Sequence, residues 1–235
     1  MKESALFIST LNEIEALNKQ FHRIPLSAFD EVYALDGGST DGTVEFFKQH
    51  DVKVIPDIRK GAIFNAGAMT TECEYLVFFA PDGNEDPKDI TILLDKLKEG
   101  YDMVIGSRFL KDSSNEEDEK FFKWRKWANQ MFTLMVRLRW GGNITDTING
   151  FRAVRRTKLF EMNTDPTGFD IEFQMSIRAL KLGHKVCEIP TIERGRLGGE
   201  STAYSFPTGW LMLKRYIKEF FTKVPVLKGD RLRVS

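Results

Sequence analysis

The sequence predicts an α/β fold: a single Rossmann-like domain with a mainly parallel sheet flanked by helices. Three observations carry that prediction. Short apolar runs alternate with segments of helical spacing through the first 110 residues. Loops rich in Gly, Ser, Thr and Asp follow the apolar runs. The chain of 235 residues is long enough to bury a sizeable core without disulfide or metal staples.

Ser4–Thr10 (SALFIST) is an apolar run suited to a buried strand, and residues 12–21 show helical spacing at Ile14, Leu17 and Phe21. Glu31–Asp36 (EVYALD) is a second strand, residues 43–50 a helix and 52–55 a third strand. A small-residue helix over 61–70 precedes an apolar strand at 75–80, a helix over 87–99 and a strand at 103–106. Strand and helix alternating at this spacing indicate a parallel, doubly wound sheet, whose ligands sit outside the carboxyl ends of the strands. Asp36, Asp82 and Arg108 fall there.

The second half reads differently. Residues 112–120 are acidic and polar and predict a mobile loop. Trp124–Trp140 is a long basic and aromatic helix, residues 146–156 a polar turn leading into a strand, and 169–182 a helix. Val186–Pro190 is a short strand, 193–205 a loop and 209–222 an amphipathic helix. The domain is expected to span 1–223, with halves 1–110 and 111–205, the helix 206–223 and a partly ordered tail 224–235.

Composition narrows the class. Hydrophobic residues make 42% and charged residues 29% of the chain, values ordinary for a globular protein. Lys+Arg and Asp+Glu are both 34, which argues against a nucleic-acid partner held by bulk charge. Cys73 and Cys187 have no CxxC neighbour and no His at ligand spacing, so neither a zinc site nor an oxidising compartment is expected. No apolar run approaches the roughly 18 residues of a membrane span, and MKESALFIST lacks a secretory h-region. The expected location is cytoplasmic, at most peripheral at the inner face of a membrane.

The loop Asp36-Gly-Gly-Ser-Thr-Asp-Gly-Thr43 lets backbone approach a ligand closely, and Asp36 could accept hydrogen bonds from a ribose or a base. A glycine-rich turn with Asp41 capping the next helix is the alternative reading.

This loop belongs to a series of segments that resembles the family 2 glycosyltransferases of GT-A fold, in order from about Ile8 to Ser201. The series is Ser9-Thr-Leu-Asn-Glu13, Leu35 to Thr43, Lys60-Gly through Ala68, Asp82-Gly-Asn-Glu-Asp-Pro87 and Ile105-Gly-Ser-Arg-Phe109. Asp146-Thr-Ile-Asn-Gly-Phe-Arg152, Gly168-Phe-Asp-Ile-Glu172, Gly183, Glu188-Ile-Pro190 and Arg196-Leu-Gly-Gly-Glu-Ser201 resemble the polyprenyl (dolichyl-type) phosphate sugar synthase branch. The resemblance implies a mixed GT-A sheet and inverting transfer from a nucleoside diphosphate sugar to a polyprenyl phosphate or another phosphorylated acceptor. It places Thr10, Asn12, Glu13, Asp36, Gly37, Gly61 and Asp82 on the donor nucleotide. Asp82 and Asn84 would hold Mg²⁺ or Mn²⁺ through hard oxygens. Arg108, Arg125, Arg152, Arg196 and Ser201 would hold the acceptor phosphate, with Asp82, Arg108 and Arg196 central to catalysis. The alternatives are a helix cap for Asp82 and solvated surface positions for the arginines.

The series departs from the family pattern twice: Gly37 and Ala80 stand where the family usually carries aspartates. Both changes point to an altered donor site. Asn149 and Ala128 also differ from the branch on the acceptor side. The helix 209–222 carries Trp210, Leu211, Leu213, Ile217, Phe220 and Phe221 between Lys214, Arg215, Lys218 and Lys223, a pattern that fits either a membrane interface or packing on its own domain. A soluble saccharide acceptor and a catalytically silent relative that binds nucleotide or regulates a partner are the rival readings.

Overall fold

Apolar runs with β-branched and aromatic side chains form strands at the positions their composition indicates. The computed structural model describes residues 2–115, 123–165, 168–198 and 205–224. Its strands are β1 (Ser4–Thr10), β2 (Glu31–Asp36), β3 (Lys53–Ile55), β4 (Tyr75–Phe79), β5 (Met103–Ser107), β6 (Arg152–Arg155) and β7 (Val186–Pro190). Its α-helices are α1 (Ile14–Gln20), α2 (Thr43–Gln49), α3 (Ile63–Thr70), α4 (Asp89–Lys98), α5 (Trp124–Trp140), α6 (Arg156–Met162), α7 (Ile171–Lys181) and α8 (Ser205–Phe221). A 3₁₀ turn at Lys60–Ala62 leads into α3.

The sheet order is β3-β2-β1-β4-β6-β5-β7. Pairing is parallel except at β6, which runs antiparallel to both β4 and β5. The sheet is therefore mixed, in place of the wholly parallel sheet that alternation alone suggests. Reversal of β6 puts its first residue, Arg152, opposite Phe78 and Ile105 near the carboxyl ends of β4 and β5.

One core packs α3, α6 and α7 on the sheet through Phe64, Leu159 and Met175. The opposite core packs α1, α2 and α4 through Leu17, Phe47 and Leu93. A third cluster of Phe132, Val136, Phe173, Ile177 and Met212 joins α5 and α8 to the outside of α7. Helix α6 is an addition to the sequence reading. It follows β6 directly, with Arg155 as its N-cap and no Gly or Pro between them, so no breaker marks its start. Of the expected mobile loop and tail, residues 116–120 and 225–235 lie outside the described residues.

An aromatic row crosses the first core. Phe7 stacks on Tyr33 at 5.5 Å and on Phe78 at 5.1 Å, and both are its register partners in the sheet. Phe64 of α3 closes the row 4.6 Å from Phe78. Gly67 lies over it: a Cβ there would sit 2.7 Å from Phe78 Cε1 and 3.3 Å from Phe7 Cδ2. Alanine in a helix interior gains about 1 kcal/mol over glycine. Overpacking a closed aromatic row costs about 1–3 kcal/mol. Gly67→Ala is therefore expected to lower the urea midpoint with the slope unchanged. A raised midpoint would show that the row relaxes around the added methyl.

Candidate functional site

The carboxyl ends of β1, β2, β4 and β5 open into a cavity of about 570 Å³, closed on the far side by the first turns of α5 and α8. That volume suits a small organic ligand.

Two loops stitched together make one wall. The loop after β1 and the glycine-rich loop after β2 exchange side-chain bonds across 27 to 30 residues of sequence. Asn12 N–H donates to Ser39 Oγ at 2.8 Å, and Thr40 N–H donates to Asn12 Oδ1 at 2.8 Å. Glu13 N–H donates to Thr43 Oγ1 at 2.9 Å. Asp41 accepts from Ile14 N–H and Thr43 N–H, both at 3.0 Å, and so serves the first turns of α1 and α2 together. Asp36 accepts from Gly38 N–H at 2.8 Å, Ser39 N–H at 2.9 Å and Ser39 Oγ at 2.5 Å.

Charge is concentrated on the next wall. Arg196 donates to Glu13 Oε1 at 2.5 Å and to Asp82 Oδ2 at 2.7 Å, bridging the loop after β1 to the loop after β4. Asp82 Oδ1 also accepts from Asn84 N–H at 3.0 Å. Burial raises the Asp82 carboxyl against these bonds. It raises Glu85 well above the usual carboxylate range, with the charges of Asp82 and Glu193 adding to the push. Three buried oxygens here, Glu13 Oε2, Asn84 Oδ1 and Glu85 Oε2, have no hydrogen-bond partner among the described residues. Lys60 pairs with Glu172 at 2.8 Å.

A third wall is built around Arg108. Its guanidinium donates to Asp146 at 2.7 and 3.1 Å and to Glu193 at 3.0 Å. Burial opposes the charge of both Arg108 and Asp146, yet their pairing wins, lifting the guanidinium and lowering the carboxyl. Asp146 is itself held by Glu188, which accepts from Thr145 N–H at 2.8 Å and Asp146 N–H at 2.8 Å. The lining carries Arg59, Lys60, Arg108, Arg125 and Arg196 against Glu13, Asp82, Glu85, Glu172 and Glu193. Among the described residues of the lining, basic and acidic side chains are equal in number.

The model of the family "Glycosyl transferase family 2" matches residues 6–161, which run from within β1 through β6 and hold most of this wall structure. The chain belongs to that family. Among its relatives, Glycosyltransferase AglJ of Haloferax volcanii is 29% identical over 196 residues, covering 82% of this chain and 63% of that protein. The undecaprenyl-phosphate mannosyltransferase of Micrococcus luteus is 28% identical, covering 83% of this chain and 84% of its own. The dolichol-phosphate mannosyltransferase of Pyrococcus furiosus is 28% identical, covering 86% and 59%. This chain thus spans less than two thirds of the Haloferax and Pyrococcus relatives. The structure of glucosyl-3-phosphoglycerate synthase from Mycobacterium tuberculosis with Mn²⁺, UDP and glucosyl-3-phosphoglycerate superposes with a TM-score of 0.71 at 17% identity, covering 93% of this chain and 80% of that one. The mixed sheet and this likeness bear out the GT-A architecture.

Within the family 2 frame, eight of the expected residues line the cavity: Thr10, Glu13, Gly37, Asp82, Asn84, Arg108, Arg125 and Arg196. Four do not, and each has a physical reason. Asp36 is buried, and its oxygens are engaged by its own loop rather than facing a nucleoside. Asn12 ties that loop from the outside. Gly61 is buried in the 3₁₀ turn, while its neighbour Lys60 faces the cavity. Arg152 is the clearest correction: it has no exposed surface and donates to the carbonyls of Asn149 and Glu172 and to Ser176 Oγ. Burial lowers it to about 10, so it supports the 149–151 turn from beneath instead of meeting a phosphate. Ser201 lies outside the described residues. Asp82 does not cap the helix after it; Asp86 receives Lys88 N–H there. The sequence reading left Glu85, Glu193 and Lys60 without roles, although Glu85 stands inside the Asp82–Pro87 segment it singled out.

Asp82, Asn84 Oδ1 and Glu85 Oε2 are hard oxygen donors, two of them buried without a partner, and that chemistry fits Mg²⁺ or Mn²⁺. No group of three or more His, Cys, Asp or Glu able to hold a metal occurs among the described residues. A cation here would complete its shell with substrate oxygens.

Burial pushes the Glu13 carboxyl from 4.5 to about 7, with Arg196 pulling it down and Asp82 adding to the rise. The folded state binds this proton more tightly than the unfolded chain. The resulting stability is fully present below about pH 4.5 and lost as pH rises through about 7. Over that window the urea midpoint of the wild type should fall relative to that of Glu13→Gln. Parallel profiles for the two proteins would place the titration elsewhere.

Proposed function

We propose that this protein transfers a hexose-type sugar, with inversion, from a nucleoside diphosphate sugar to a phosphate-bearing acceptor, and that the acceptor is a polyprenyl phosphate. One observation carries the reading: a single cavity joins the stitched loops after β1 and β2 to an arginine-bearing side walled by α5 and α8. The names of the Micrococcus and Pyrococcus relatives support the lipid acceptor.

An acceptor phosphate is already a nucleophile, so the protein need supply no general base. A phosphate oxygen attacks the anomeric carbon as the bond to the diphosphate oxygen breaks, and the diphosphate leaves with the electron pair. The tasks left to the protein are alignment and charge. Arg108 uses three N–H groups on Asp146 and Glu193, and its five-donor fork has two more to offer a phosphate. Arg196 neutralises Glu13 and Asp82, which would otherwise repel an incoming diphosphate. Glu85, raised toward its uncharged form, adds less repulsion than an ionised carboxylate. A diphosphate brings more negative charge to this lining, which a divalent cation at Asp82 would help to offset.

A thermal-shift screen of UDP, GDP, CDP and dTDP, each with and without Mn²⁺, tests the donor half. One nucleotide should raise Tm in a Mn²⁺-dependent way, worth about 2.7 kcal/mol at about 100 times its Kd. Asp82→Ala should keep the fold, lose that metal-dependent part and abolish sugar transfer to polyprenyl phosphate. Silence with every nucleotide would refute the donor site and favour the catalytically silent relative. Full turnover by the variant would refute the role of Asp82.

A further inference from the structure

Helix α5 has two apolar faces. The inner one buries Phe132 and Val136 in the core with α7 and α8. The outer one carries Trp127, Met131, Leu134 and Leu138, spaced by four, three and four residues along one stripe and 51% to 79% exposed. Helix α8 repeats the arrangement, with Met212 inside and Trp210, Ile217, Phe220 and Phe221 exposed. Its inner face is fixed by buried ion pairs, Arg215 with Asp170 at 2.6 Å and Glu219 with Arg178 and Lys181 at 2.8 Å. The outer residues are therefore not needed to hold the helix on its domain.

The two outer faces are continuous. Arg139 of α5 lies over the ring of Phe220 of α8 at 4.4 Å, and Trp140 meets Tyr216 edge-on at 5.3 Å. Both helices also start at the cavity, which Trp124 and Phe132 line from α5 and Gly209 and Met212 from α8. They run side by side away from it.

Charge says what covers this surface. Helix α5 contains no Asp or Glu, and the single acid of α8, Glu219, is fully buried. Arg137, Arg139, Lys214 and Lys218 are exposed beside the apolar stripes. Lys218 also pairs with the half-exposed Asp165, so Arg137, Arg139 and Lys214 carry most of the free positive charge along these two helices. An apolar strip flanked by such cations complements an interface whose interior is hydrocarbon and whose rim is anionic phosphate. Tryptophans at its edge suit the same boundary.

We propose that the outer faces of α5 and α8 together seat on the anionic surface of a phospholipid bilayer, bringing the cavity that both helices border close to the headgroups. Docking concerns the surface, not the transfer reaction, so its test uses no sugar nucleotide. The full chain is sedimented with vesicles of phosphatidylcholine alone or mixed in equal parts with phosphatidylglycerol. Wild type should partition onto the mixed vesicles, more weakly as salt rises and less onto phosphatidylcholine. Leu134→Glu with Leu138→Glu should keep the wild-type Tm and lower partitioning by more than about tenfold. A wild type that stays in the supernatant would overturn the proposal, as would a variant that binds equally well. A wild-type dimer in light scattering that the variant converts to monomer would also overturn it, assigning the patch to a second copy of the chain.

Discussion

A charged group taken out of water must meet an opposite charge or a full set of hydrogen bonds, and this requirement orders the ligand-facing end of the sheet. The segment 145–152 is where it is met. Glu188 on β7 receives the backbone of Thr145 and Asp146, Asp146 receives Arg108, and Arg108 in turn holds Glu193. At the other end of the segment, Arg152 binds the carbonyls of Asn149 and Glu172. The antiparallel direction of β6 makes this possible. A reversed strand begins where its neighbours end, so the loop entering it arrives at the carboxyl ends of β4 and β5. A parallel strand at that place would deliver its leading loop to the opposite edge of the sheet.

Helix α7 carries the same logic outward. Nearly all its side chains are buried, as expected of a helix enclosed on both sides. Its polar residues are not stranded, because each reaches a partner outside the helix. Glu172 meets Lys60, Ser176 donates to Thr147 O, and Arg178 meets Glu219 of α8. The cavity and the outer helix layer are thus connected through one helix. A shift of α8 would be felt at Arg178, and a shift of the cavity floor at Glu172, one and a half turns away.

Much of the fold was legible because strand signals are local. The bounds of β1, β2, α5 and β7 coincide with runs visible in the sequence. Strand direction is not local: nothing in RAVR says that β6 runs against its neighbours. The site was legible in part for the same reason. Arg108 and Arg196 stand in the cavity because glycine-bearing loops carry them to strand ends. Arg152 looks equivalent, but besides Asn149 O in its own segment it is enclosed by groups 20 and 24 residues away on α7, and no pattern in the segment reports its burial. Asn12 is taken up by partners 27 and 28 residues away in another loop. Asp36 is taken up within its own loop, which folds back on the carboxylate two and three residues later. Glu85 was overlooked because an acidic residue in a polar loop reads as solvated, whereas burial is what makes it distinctive.

The two departures from the family pattern can be weighed against this geometry. Gly37 is not demanded by the backbone: its φ is not positive, and a Cβ there would meet Thr10 O at 3.4 Å and Leu11 Cβ at 3.5 Å, ordinary contacts. Packing therefore permits a side chain at 37, and its loss changes what the cavity presents, not how the loop folds. Ala80 lines the same cavity. Aspartates at both positions would tip a balanced lining to net negative and raise the cost of admitting a diphosphate. Their joint absence leaves the five basic residues matched by five acidic ones, one of which, Glu85, is raised toward its uncharged form. A lining of this charge would admit an anionic ligand at less electrostatic cost than one carrying both aspartates.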